Sequence, residues 1–392
     1  MRIKMYDVNF GETIIYEVDN EKILVDCGSK CGRKGELAYE RIENEIDETT
    51  KLIITHFDED HYNGICEIPA GFHFAEINLP LYIYGNQLSS TMDFFIDTLR
   101  TWIYIGAIGR WNKIDPLHRL FVKLPHLVNS IRNIRCVGQG DSIFAGNKEF
   151  RVLWPEQNSG IRTRLYSNEI LDILRRLVEE RESLEAYIVM ADRYVSLFIQ
   201  IYQFYCDNMR DGTYPEINAD NFHQSLKELD VLYNDLHEIQ LAHNSNPRYI
   251  NRISSISSTK IKGMNDCSIV FESDDNDIIA FGDVSKQIIK HLRDNHVFTY
   301  DKYKVLKVQH HGTKTYWSDD IPEAKVYLIS NSGDKYRKWA IDERYGEQYS
   351  NKMLCTNNDY FRCQYYMNGG QRCPRCNIGG TQTEFVVDTN TL

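Results

Sequence analysis

The stretch His56-Phe57-Asp58-Glu59-Asp60-His61 places two imidazoles and three carboxylates within six positions, directly after the apolar run "KLII". Imidazole nitrogen and carboxylate oxygen are ligands that zinc, manganese and iron accept. If the strand continues into the motif, His56 and Asp58 point to the same side, because side chains alternate along a strand. Asp60 and His61 then follow where the chain turns. Four ligands from one short segment can serve two metal ions.

Two later stretches repeat the arrangement. Asp283 follows the apolar run "DIIAFG", and His310 and His311 follow "YKVLKVQ". Loops at the ends of buried strands are where α/β folds gather chemistry. Residues far apart in sequence can meet there around one point.

The elements that must position these groups are legible from periodicity. "RIKMYDVNF", "ETIIYEV", "KILVDCG" and "KLIITHF" read as strands broken by Gly, Asn and Asp. The pattern turns mostly helical between Asn86 and Asn133, then strand-like in "IRCVGQGDSIFAGNKEFRVLWP", with Gly-Asn as a hairpin turn. From Ser167 to Leu241 the apolar spacing is helical. From Asn265 strands alternate with helices again. The expectation is an α/β core interrupted by helices: residues 1–159 and 251–350 form the core, 160–250 a helical insertion, and 351–392 C-terminal strands with a cysteine cluster.

These motifs, in this order, resemble the metallo-β-lactamase superfamily, whose signature H-x-H-x-D-H is followed by later His, Asp and His ligands. Within it the chain is most similar to the soluble metallo-hydrolase domain of competence DNA-uptake (ComEC-like) proteins, which often carry Asp at the second ligand position, as Asp58 does here. "YDVNFGETIIYE" resembles their opening motif through Asp7, Gly11 and Glu12. "ILVDCG" resembles the strand that carries Asp26, and "GDSIFAGNKEFRVLWP", "NDCSIVFES" and "VLKVQHHGTKT" follow the later motifs. The resemblance implies a four-layer αββα sandwich with a two-metal centre at one edge. It implies metal ligation by His56, Asp58, Asp60, His61, Asp283 and His311, with Asp283 bridging. It also implies support from Asp7, Asp26 and Asn265, the last standing where many members have a histidine. His310 stands as ligand or acid, and Lys338 where the relatives have a late histidine.

Such a centre would hold two divalent ions, manganese or zinc, sharing a hydroxide. Asp60 could orient that hydroxide or take its proton. The expected activity is hydrolysis of a phosphodiester, most simply by a nuclease. The alternatives are a small ester, lactone or thioester substrate, or a non-catalytic subunit of a multi-protein assembly. The net charge of −11 argues against non-specific nucleic-acid binding by the whole surface. A local basic stretch, residues 110–135, nevertheless offers Arg110, Lys113, Arg119 and Lys123, with Trp111 and Phe121 as stacking faces.

Three further expectations concern context. No apolar run reaches the ~18 residues of a membrane span, so no membrane contact and a cytoplasmic location are expected. Its cysteines are then expected to be reduced. Cys355, Cys363, Cys373 and Cys376 could hold a structural zinc in a knuckle-like element, although the first pair is widely spaced. In the insertion, Tyr187, Met190, Tyr194, Leu197, Ile201 and Phe204 recur at helical spacing, as a packed cap or as a docking face for a protein partner or a second copy.

Overall fold

The computed structural model describes residues 1–30, 35–83, 90–156, 165–207, 219–331, 340–349, 352–357 and 382–392. Among them, fourteen strands form two seven-stranded sheets. The first contains β1 (Arg2–Tyr6), β2 (Thr13–Val18), β3 (Glu21–Cys27), β4 (Lys51–Ile53), β5 (Glu76–Pro80) and β6 (Ile134–Val137), with β14 (Glu384–Asp388) on its β1 edge. The second runs in order β13 (Met353–Cys355), β12 (Glu323–Ile329), β11 (Lys302–Lys307), β10 (Ile278–Ala280), β9 (Val270–Ser273), β8 (Lys148–Trp154), β7 (Ser142–Ala145).

Strand alternation builds the layers. Ile14, Tyr16, Ile23, Val25 and Ile53 of the first sheet share one buried cluster with Phe150, Val152, Phe271, Ile278, Val305 and Leu328 of the second. The intervening residues Ile15, Leu24, Leu52 and Ile54 face the other way, into a cluster with the helices. On the far side, Ile279, Leu306, Tyr327 and Ile329 pack with helix residues Ile289, Leu292 and Tyr345. Two sheets apolar on both faces can only be satisfied by helices outside and one another inside. The layering is α–β–β–α, the mixed architecture expected.

The outer layer on the first sheet is thick. It comprises α1 (Gly35–Ile42), α2 (Glu59–Tyr62), α3 (Thr91–Gly106), α4 (Ile114–Lys123), α5 (Ser167–Leu177), α6 (Arg181–Asp207), α7 (Ala219–Glu238) and α8 (Pro247–Asn265); α9 (Lys286–Asp294) and α10 (Glu343–Tyr349) cover the second sheet. The helical insertion is part of this layer. Tyr187, Tyr194, Leu197 and Ile201 are buried in its cluster, and Met190 and Phe204 pack against it. The apolar stripe expected as a possible docking face is therefore core. Tyr202 of α6 also donates to Pro80 O (2.6 Å) and accepts from Tyr82 N (2.8 Å), tying the insertion to the end of β5.

Two cysteine expectations need correction or restriction. Cys136 of β6 and Cys206 of α6 form a disulfide, so this pair is not reduced. Cys355 is buried in β13, with its Sγ accepting from Asn357 N. Cys363, Cys373, Cys376 and Lys338 lie outside the described residues, and no zinc knuckle is supported.

Candidate metal centre

The centre forms where β3, β4, β10 and β11 end. Its first determinant is a β-bulge. Val25 pairs with Ile14 and Cys27 with Thr13, leaving Asp26 without a partner. Asp26 has φ 57°, in the left-handed region that a short polar side chain tolerates. Bulges re-aim side chains, and this one turns the buried Asp26 carboxylate toward β4. It accepts from Thr55 N (2.8 Å), Thr55 Oγ1 (2.7 Å) and His61 Nδ1 (2.7 Å). Gly28 lets the end of β3 lie against α2, where an added Cβ would sit 2.4 Å from the Asp60 carbonyl carbon.

Each of three histidines is held by its Nδ1. His61 donates to Asp26. His311 donates to Ser330 O (2.8 Å). The Thr55 hydroxyl proton is committed to Asp26, so Thr55 Oγ1 accepts from His56 Nδ1 (3.1 Å). A donating Nδ1 leaves Nε2 as the lone-pair atom. All three Nε2 atoms are buried and lack a well-formed hydrogen bond, as does Asp283 Oδ1. Four orphaned polar atoms in one place are costly unless an ion satisfies them.

They converge on Asp283. Its Oδ2 lies 3.3 Å from His61 Nε2, 3.7 Å from His311 Nε2 and 3.9 Å from His56 Nε2. Asp60 Oδ2 is 3.4 Å from His311 Nε2. Two overlapping groups could each hold an ion, His56–His61–Asp283 and Asp60–His61–His311, with ligand atoms within 4.8 Å of one another. Asp283 reaches the site because its amide is fixed by Ser268 Oγ (3.0 Å).

The electrostatics follow from burial and neighbours. Burial, then the adjacent His61, pushes His56 down to about 4, so it is neutral. Burial disfavours a charged His61, yet Asp283 and Asp26 raise it well above its ordinary value; a metal would displace that proton. Burial opposes ionisation of Asp283, but His310, His61 and His311 hold it well below the usual carboxylate range.

His310 and His311 both adopt positive φ, 43° and 55°, a sparsely populated conformation that recurs at functional sites. The turn separates their roles. His311 is wholly buried among the ligand atoms, whereas His310 stacks on Tyr316 (3.7 Å between ring centroids) and keeps 15% of its side chain exposed. His310 Nδ1 is 2.8 Å from Asp283 Oδ2 and 3.0 Å from the Asn265 side chain. Asn265 is the last residue of α8.

Other sequence candidates lie elsewhere or are engaged differently. Asp7 shapes the turn after β1, its carboxylate accepting from Asn9 N. Asp58 caps α2 through Glu59 N and carries two ammonium groups, Lys30 at 2.9 Å and Lys113 at 3.3 Å. Burial opposes its ionisation, but Lys113 and Lys30 prevail and hold it low. It is in neither potential ligand group. Arg110 donates to Ser254 Oγ and Arg119 pairs with Glu67, while Lys123 ends α4 half-buried. Trp111 and Phe121 are buried, which removes the stacking faces that the nucleic-acid expectation relied on.

Sequence reasoning missed Lys30, Thr55, Ser330 and Lys307. Lys307 forms a buried ion pair with Glu12, behind His311. Thr55 was adjacent to the motif and could have been found as the polar residue at the strand end. Lys30 and Ser330 carry no local signal.

Residues 6–83 match the metallo-beta-lactamase superfamily. The superfamily comprises metal-dependent hydrolases, and its members generally bind divalent ions, usually zinc. The matched segment runs from the end of β1 past β5 and contains His56, Asp58, Asp60 and His61, but not Asp283, His310 or His311. No curated protein matches the chain closely enough to count as a relative. No helix among the described residues is long and apolar enough to cross a membrane.

The Asp26 bulge carries the first expected outcome. Asp26→Ala should weaken divalent-metal affinity by roughly 10–100-fold, the usual cost of removing a residue that orients a ligand histidine. Competition against a chelator measures this; unchanged affinity would show that His61 needs no such support.

Proposed function

We propose that the chain is a metal-dependent hydrolase acting on phosphodiesters, in the manner of a nuclease. The observation that carries the hydrolase part is the convergence of His56, His61 and His311 Nε2 with Asp283 at the strand ends. A divalent ion bound there would lower the pKa of its water from 15.7 to about 7 and polarise a substrate oxygen. The residues of the chain do the rest. Asp26, Thr55 and Ser330 fix the imidazoles in one tautomer. Asp60, beside His311, can orient the nucleophile or take its proton. His310, which unlike His311 keeps part of its side chain exposed, can hand a proton to the leaving oxygen. Burial, only partly countered by Asp283, lowers its pKa, so it is a weak reservoir but a ready donor once protonated. Lys30 and Lys113 place positive charge beside the centre, which suits an anionic substrate.

A second reading is favoured by the groove next to α2. This groove, about 970 Å³, is lined by Glu36, Glu59, Glu67 and Asp115 as well as Arg110 and Arg119. Four acids against two arginines would repel a long polyanion and fit hydrolysis of a small ester, lactone or thioester. Assay of the Mn²⁺- and Zn²⁺-loaded protein on single- and double-stranded DNA, RNA, cyclic nucleotides, lactones and thioesters decides between them. Phosphodiester cleavage lost in Asp60→Asn supports the first. Cleavage confined to small esters supports the second, and no turnover of any class sinks both.

A further inference from the structure

The groove beside α2 holds groups for which hydrolysis at the centre has no use. Its volume, about 970 Å³, suits a nucleotide-sized ligand. It borders the centre: Glu59 in its wall stands between Asp58 and Asp60, and α4 sends Lys113 to Asp58 (3.3 Å) and Asp115 to the groove. Asp115 is held by a polar chain. Its Oδ1 accepts from Tyr233 Oη. The Tyr233 ring stacks on His118, with centroids 3.7 Å and planes 10° apart. His118 is buried, its Nδ1 3.2 Å from Tyr194 Oη and its Nε2 3.2 Å from Asp230 Oδ1. A connected polar chain of this kind specifies one geometry. It ends on a carboxylate whose Oδ2 has no hydrogen-bond partner among the described residues.

A second unsatisfied group lies in the same wall. Trp111 lines the groove at 7% exposure, and its buried Nε1–H meets no acceptor, which is uncommon in a folded chain. The exposed imidazole of His237 lies on the Trp111 ring, 4.8 Å between centroids. Bases of single-stranded nucleic acids stack on rings of this kind and are read along their Watson–Crick edges. The acids that repel phosphate do not repel an uncharged base. A carboxylate only accepts. Among the common bases, guanine alone presents two adjacent donors, N1–H and N2–H, on that edge. Adenine and cytosine set an acceptor nitrogen beside their amine, and uracil flanks its N–H with carbonyls.

We propose that the groove is a second binding site, selective for the guanine base of a nucleotide or short oligonucleotide. Asp115 accepts from N1–H and N2–H, His237 supplies the stacking ring, and Trp111 Nε1–H offers the donor that a base carbonyl meets. Cleavage of such a ligand rests on the phosphodiester reading above; binding of the base does not need the ion.

The test titrates the full-length chain, stripped with a chelator, with the 5′-monophosphates of guanosine, inosine, adenosine, cytidine and uridine in a calorimeter. Ribose and phosphate are common to all, so differences report the base. The guanosine nucleotide should bind roughly 5- to 150-fold tighter than the adenosine, cytidine and uridine nucleotides, the discrimination of one two-point base contact. Inosine lacks only the N2 amine and should lose at least about fivefold. Asp115→Asn keeps an oxygen for Tyr233 and turns an amide NH₂ to the groove. It should lose the guanosine nucleotide and gain the xanthosine nucleotide, in which a carbonyl replaces the N2 amine. No binding, or equal affinity for all five nucleotides, overturns the proposal and leaves hydrolysis at the centre standing. Guanosine binding unchanged in Asp115→Asn overturns it too. Guanine-selective binding without turnover of any phosphodiester upholds the site and sinks the phosphodiester reading. Should Asp115→Asn fail to fold, guanosine against inosine in the wild type decides: equal affinities overturn the proposal, and a loss of about fivefold or more upholds it.

Discussion

Asp283→Asn is expected to leave the protein folded, to reduce its bound metal to a trace and to lower hydrolysis by at least ~10³-fold. Asparagine has the same shape, and the backbone contact with Ser268 Oγ does not involve the side chain. The charge is what disappears. Asp283 Oδ2 lies within 4 Å of a ring nitrogen of each of His56, His61, His310 and His311. Neutralising it removes the anion that draws a cation against three buried lone pairs. Without the ion, the nucleophile would be ordinary water with a pKa of 15.7 in place of about 7. Metal content and kcat/KM are measured together, with circular dichroism as the folding control. Normal metal content and normal turnover would show that Asp283 is no ligand and that the chemistry lies elsewhere.

The second large effect is on stability and lies far from the centre in sequence. Asp97 of α3 is buried and forms an ion pair with Lys260 of α8, whose side chain is wholly buried. The same carboxylate accepts from Tyr166 N (2.8 Å) and Ser167 N (2.9 Å) at the start of α5. Lys260 Nζ lies over the rings of Phe94 and Tyr166. One turn on, Gly263 lets α8 cross α3 closely, where an added Cβ would sit 2.3 Å from Phe94 Cζ. Asp97→Ala leaves a buried ammonium with no counter-charge and should cost about 3–5 kcal/mol. Asp97→Leu combined with Lys260→Met should recover much of that, since apolar replacement of a whole buried pair is often near neutral. Urea unfolding measures both. An Asp97→Ala loss below about 1 kcal/mol, the range of exposed pairs, would mean that the pair anchors nothing. The anchor bears on the site because α8 ends at Asn265, beside His310.

The sandwich and the ligand-bearing loops were legible because they rest on local rules. Consecutive apolar residues in β2, β3 and β4 announce strands buried on both faces, and acids and imidazoles placed just after them announce chemistry at the strand ends. Asp26 was singled out through its resemblance motif, but not the bulge that aims it, since a one-residue register shift leaves no periodic trace. The stripe on α6 illustrates the limit from the other side. Its spacing at Tyr187, Tyr194 and Ile201 marks an apolar face, yet periodicity does not say what covers it; α3, α4 and α7 do. The same holds for Trp111 and Phe121, whose basic neighbours suggested an exposed binding surface and whose rings are buried.

What belongs to the linear order of residues is the kind of chemistry: histidines and carboxylates after strands, in numbers suited to a divalent ion. What belongs to the folded chain is where those ligands meet and which of their atoms are left facing one another. Lys30 is one residue among loop residues until folding sets its ammonium between Asp58 and Asp60. His61 offers two ring nitrogens until Asp26 takes Nδ1 and leaves Nε2 facing Asp283. Both outcomes depend on contacts spanning 28 to 35 positions in sequence, and no local propensity encodes a distance of that kind.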